Sequence, residues 1–122
     1  MKKLFVILFA IFVILVQPVY AEYAEHCTMV RASHILVKTK AEADQLEFYL
    51  SKGASFEALA NRYSLCPSGR TGGDLNYFHR GQMVKPFEEK AFSMKKGEIS
   101  EPIQTQFGWH IIKVTDKVCP QN

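Results

Sequence analysis

The sequence predicts an α+β domain in which strands and helices are mixed and the chain closes in a β-hairpin. Three observations carry that prediction. Two apolar runs near the ends of the chain, 30–37 (VRASHILV) and 109–115 (WHIIKVT), read as buried strands. Between them, apolar residues at helical spacing follow good helix-capping residues. A Pro-, Ser- and Gly-rich stretch then precedes a short strand and a third helix, so the order is β-α-α-β-α-β-β rather than that of a doubly wound sheet.

The elements follow in chain order. Met1-Lys2-Lys3 is a basic head, 4–16 an apolar run broken by Gln17-Pro18, and Val19-Tyr20-Ala21 supplies small residues for cleavage. This is the layout of a secretory signal peptide over 1–21. The run falls short of the ~20 apolar residues that span a bilayer, so no stable membrane insertion is expected after cleavage. Residues 22–28 form a polar leader, 29–117 the domain and 118–122 a tail. The expected destination is a periplasm, or the medium.

Losing Lys2 and Lys3 takes the fifteen basic residues to thirteen against twelve acidic ones, a net charge of +1. Such a mixed surface argues against nucleic acid as a partner. A mature chain of roughly 100 residues suits one compact domain.

After the first strand, Thr39 is a natural N-cap with Glu42 three residues on, placing a helix over 40–52. Its Ala43, Leu46 and Leu50 lie on one stripe. Ser55 caps a second helix whose Phe56, Leu59, Ala60 and Tyr63 recur at i, i+3, i+4 and i+7. The stretch 66–73 reads as a loop, 75–79 as a short strand, and 86–92 as a helix opened by Pro86 with Glu88 and Glu89 near its start. Residues 99–103 then pair across 104–108 with the last strand.

Two histidines, His34 and His110, sit inside the two most apolar strands. Taken singly, each reads as a core histidine with a satisfied hydrogen bond. Taken together they are more informative, if the first and last strands are antiparallel neighbours with His34 opposite His110. Paired residue numbers would then sum to 144, and Cys27 with Cys119 sums to 146. The same register therefore brings those two cysteines together beyond the strand ends. Three cysteines in an exported chain leave one over. A Cys27–Cys119 disulfide leaves Cys66; the alternative is two independent exposed thiols. Cys66 has no protease signature around it and no zinc-ligand spacing near it. Read from the residues alone, it is an inert buried cysteine.

The stretch 64–87, SLCPSGRTGGDLNYFHRGQMVKPF, resembles the central segment of the parvulin family of peptidyl-prolyl cis-trans isomerases, with its S-x-C-P-S-(G/A)-x-x-G-G-D-L and G-Q-M-x-x-x-F. The resemblance covers about 29–117. It implies a four-stranded antiparallel sheet surrounded by helices, the parvulin/FKBP-like arrangement, with no metal or other cofactor. It also implies a catalytic set of His34, Cys66 and His110, and a proline pocket of Leu75, Met83 and Phe87 with Phe107 beside the second histidine. The implied substrates are unfolded or partly folded proline-containing polypeptides, and the expected state is a monomer. One departure narrows this. The phosphate-directed branch has a long basic loop after the first strand, whereas Val37-Lys38-Thr39-Lys40 leads almost directly into the helix, so unphosphorylated clients are expected. A client-holding module with little turnover is the alternative reading.

Overall fold

The computed structural model describes residues 27–121. The expected signal peptide and most of the expected leader lie outside the described residues. Four strands form one antiparallel sheet: β1 (Met29–Val37), β2 (Asp74–Phe78), β3 (Ile103–Thr105) and β4 (Gly108–Val118), in spatial order β2-β1-β4-β3. Three helices pack on it: α1 (Lys40–Ser51), α2 (Phe56–Tyr63) and α3 (Lys85–Ser93). Among the described residues, no helix is long and apolar enough to cross a membrane.

The two central strands are apolar on both faces because both faces are covered. Val30, Ala32, Ile112 and Val114 pack under Phe87, Ala91 and Phe92 of α3 and against Phe78 and Met94. Ile35, Val37 and Ile111 face Ala43 and Leu46 of α1 and Phe56 and Ala60 of α2. Each isoleucine in these two layers is fully buried, and burying such a side chain contributes roughly 1.5–3 kcal/mol.

Local signals set the helix starts. The amide of Glu42 donates to Thr39 Oγ1 at 3.2 Å, and Glu42 Oε2 accepts in return from Lys38 N, one residue before the cap. Ser55 Oγ accepts from Ala58 N at 3.2 Å.

Three sequence expectations are corrected. His34 lies opposite Ile112 and His110 opposite Leu36, so paired numbers sum to 146 through this part of the ladder. The histidines are diagonal neighbours rather than directly opposed. A shift of two keeps both on one face, because side chains alternate with period two. The expected loop 66–73 contains a 3-10 helix, Pro67–Thr71, closed by Gly69 N–H to Cys66 C=O and Gly72 N–H to Gly69 C=O. The third strand begins where it was expected to end. Ile99 makes an isolated bridge to Lys113, and the regular ladder resumes only at Ile103, past Pro102, which has no N–H to give.

Cys27 and Cys119 are joined by a disulfide just beyond the first and last strands, where Thr28 N–H donates to Val118 C=O at 2.8 Å. Cys66 is free.

Candidate active site

A cleft of about 490 Å³ opens on the α3 face of the sheet. β1 and β4 supply its inner wall with His34, Leu36 and His110. Leu75 comes from β2, Met83 and Val84 from the loop before α3, and Phe87 from α3 itself. Leu65, Cys66 and Pro67 form one lip and Phe107, on the β3–β4 turn, another. The structure thus brings together all seven site residues that the family resemblance implies. None of the residues lining the cleft carries a carboxylate, ammonium or guanidinium.

Ser64 holds the Cys66 lip against the sheet. Its Oγ accepts from both Leu36 N (3.1 Å) and Cys66 N (3.3 Å), and Leu65 N–H donates to Leu36 C=O at 2.8 Å. Gly73 is the second constraint. It has a φ of +87°, and a Cβ there would run into the carbonyl of His34, so only glycine lets the chain pass this close to β1.

The histidine pair sits between these walls. The rings are nearly parallel (20°) with centroids 5.2 Å apart, and their Nδ1 atoms are 2.9 Å from each other. Phe87 meets both rings edge-on, at 5.6 and 5.3 Å. Burial, and for His34 also its neighbour His110, lowers the pKa of His34 from 6.5 to about 4. Burial lowers that of His110 to about 4 as well. Both rings are therefore neutral at pH 7. A neutral imidazole carries one N–H, so an Nδ1···Nδ1 hydrogen bond requires the two rings to be in opposite tautomers.

Thr105 completes the chain, with Oγ1 2.6 Å from His110 Nε2 while it also accepts the N–H of Phe107 at 3.1 Å. If the threonine hydroxyl donates to His110 Nε2, then His110 Nδ1–H donates to His34 and His34 Nε2 carries a proton. If the order is reversed, His34 Nε2 carries a lone pair. In both cases His34 Nε2 is buried without a protein partner, in a residue that lines the cleft. A buried polar atom without a partner is rare in a folded protein and sets this ring apart from a fully satisfied core histidine.

Thr105 and Ser64 were not singled out from the sequence. Thr105 lies in what reads as a turn, and nothing local marks a threonine as the partner of a histidine five residues on. Leu65 and Phe107 remain 63% and 60% exposed. Large apolar side chains this open beside a cleft fit a surface that engages a partner.

This geometry agrees with the comparisons. The model of the PPIC-type PPIASE domain matches residues 20–118. The chain belongs to this family. It is 50% identical over 96 residues to the foldase protein PrsA of Geobacillus kaustophilus, covering 78% of this chain and 34% of that one. A crystal structure of the peptidylprolyl isomerase PrsA of Bacillus anthracis superposes with a TM-score of 0.76 at 44% identity, covering 80% of this chain and 45% of that one. NmPin, the parvulin of Nitrosopumilus maritimus, gives a TM-score of 0.67 at 43% identity, covering 73% of this chain and 97% of that one. The chain thus spans about a third of the length of the PrsA foldases it matches. The PPIASE domain is the part they share, and the four-stranded antiparallel sheet is that of the parvulin structures.

Proposed function

We propose that this PPIASE domain is a peptidyl-prolyl cis-trans isomerase that rotates X–Pro bonds in unphosphorylated, exported polypeptides. The observation that carries the proposal is one cleft in which an apolar pocket (Leu75, Met83, Phe87) adjoins a buried, neutral histidine pair with an unpartnered Nε2.

The chemistry asks for no bond to be made or broken. Resonance holds the amide planar behind a barrier of about 20 kcal/mol, and a site lowers that barrier by binding the twisted amide better than either planar form. The proline ring enters the apolar pocket and is held by contact alone. The carbonyl side of the bond swings past Cys66 and His34, whose Nε2 has no protein partner. His110 and Thr105 set which ring nitrogen carries the proton. Cys66 acts through its dipole and bulk beside the moving carbonyl and forms no covalent intermediate.

The absence of charge along the cleft supports unphosphorylated clients. Of the two lysines near the β1–α1 junction, Lys40 is already paired with Asp44 at 3.0 Å. Export rests on the signal-peptide layout of 1–21 and fits the disulfide, which an oxidising compartment favours.

Acceleration of a proline-limited refolding reaction, measured with unphosphorylated and phosphorylated X–Pro peptides as competitors, tests the proposal. Faster refolding, with stronger competition by the unphosphorylated peptide, is expected. Peptide binding without acceleration would instead make the domain a client-holding module.

A further inference from the structure

Glu88 places a carboxylate where the fold is otherwise apolar. It stands in the first turn of α3, next to Phe87, with a side chain only 3% exposed. A carboxylate buried this far needs partners, and all of them come from one short stretch. One oxygen, Oε1, accepts the backbone N–H of Gly81. The other stands 3.6 Å from the Arg80 guanidinium and 3.7 Å from the Lys85 ammonium. The Gly81 N–H, then Lys85 and Arg80, hold its pKa below the usual carboxylate range.

The segment gripped in this way is the loop 79–84. Gln82 Oε1 accepts from His79 N at 2.6 Å, Arg80 lies over the buried ring of Phe92 at 4.4 Å, and Gly81 turns the chain at a φ of +90°. Gln82, Met83 and Val84 then line the cleft. Glu88 therefore ties the helix that carries Phe87 to the loop that carries Met83, through a directional bond between side chain and backbone. An apolar residue would pack here without the cost of burying a charge, but it could not hold a backbone N–H in place.

We propose that Glu88 is a positioning residue of the proline site: by clamping Gly81 to α3 it fixes the Met83 wall against the Phe87 floor and so sets the affinity for the proline ring. This rests on reading the Leu75–Met83–Phe87 pocket as the proline site. A pocket that grips the ring equally in the planar and twisted forms affects KM more than kcat.

The test compares wild type with Glu88→Gln, Glu88→Ala, Gly81→Ala and, as a surface charge control, Asp44→Asn. Readouts are KM and kcat on an X–Pro peptide, the NMR signals of the Gly81 amide and Met83 methyl, and thermal stability. For Glu88→Ala we expect KM to rise about tenfold with kcat within about twofold, and the Met83 methyl to become motionally averaged. Gly81→Ala should shift KM and the methyl in the same direction. Glu88→Gln, which keeps an acceptor but not the charge, should fall between. If Glu88→Ala does not fold, Glu88→Gln and Gly81→Ala decide. Folded variants with wild-type KM and an unchanged Met83 methyl, whatever their stability, would overturn the clamp. Absence of turnover in the wild type would instead overturn the isomerase reading, and the Gly81 and Met83 signals, with peptide Kd, would then decide the clamp alone.

Discussion

Breaking the Cys27–Cys119 disulfide should lower the stability of the domain without touching its site. The two cysteines are 92 residues apart, so the bridge closes almost the entire folded chain. For a loop of that length the chain-entropy model gives about 4.6 kcal/mol, and removal from small secreted domains typically costs about 2–5 kcal/mol. A domain of this size loses roughly 4–8 °C of Tm per kcal/mol. A fall of at least ~8 °C is therefore expected, in Cys27→Ser/Cys119→Ser or on adding reductant, by calorimetry or circular dichroism. Cys66 is free, so among the described residues a reductant has one bond to break. His34 is seven residues along from Cys27, roughly 20 Å of extended chain, so kcat measured well below the lowered Tm should match the wild type. A Tm within about 3 °C of wild type in the double-serine variant would refute the reasoning.

Other consequences can be checked separately. Thr105→Val removes the hydroxyl beside His110 Nε2; turnover should fall about tenfold, equivalent to ~1.4 kcal/mol, and Thr105→Ser should restore it. Unchanged turnover in the valine variant would remove Thr105 from the site. The histidine pKa values of about 4 lie below the ordinary 6.5, so the unfolded chain takes up these protons first and stability rises with pH between about 4 and 6.5. NMR of the rings should show both neutral at pH 6; midpoints near 6.5 would contradict the burial argument. Glu47 behaves oppositely. Burial, then Glu101 and Asp44, raises its pKa from 4.5 to about 7, and its Oε1 has no partner. The fold therefore retains that proton as the unfolded chain loses it, and stability falls as pH rises through this window. Glu47→Gln should gain more Tm over wild type at pH 8 than at pH 5, and an equal difference at both would refute it.

How much of this was legible in the sequence depends on the range of the interaction involved. β1 and β4 show as apolar runs because both faces are buried, and α1 and α2 show through Thr39 and Ser55, whose capping bonds reach only three residues. The His34–His110 register differs by two residues from direct opposition because imidazoles can meet diagonally across a ladder, and sequence alone does not distinguish the two. The Cys27–Cys119 pairing survives because its sum of 146 lies within one of the 147 that the ladder reaches at its outer end, past the bulge between Arg31 and Ala32. Pro102 displaced β3, a local effect that could have been anticipated from the missing N–H. In the site, the histidines, Cys66 and the pocket residues were identified through family resemblance, not chemistry readable in the residues. Nothing in the sequence marks Thr105 and Ser64, and Glu88 reads only as an acidic residue at a helix start, because each acts through a contact that exists only once the turn, lip or loop is folded.

Turnover at the apolar pocket is the central property of the proposed isomerase. The most direct measurement is NMR exchange spectroscopy on an unphosphorylated X–Pro peptide, with the chain from Glu22 onward beside its Met83→Ala/Phe87→Ala variant. Cis–trans exchange accelerated by the wild type and lost in a folded double variant is the predicted result. Equal exchange rates with both proteins, or none above the uncatalysed rate with a folded wild type, would contradict it.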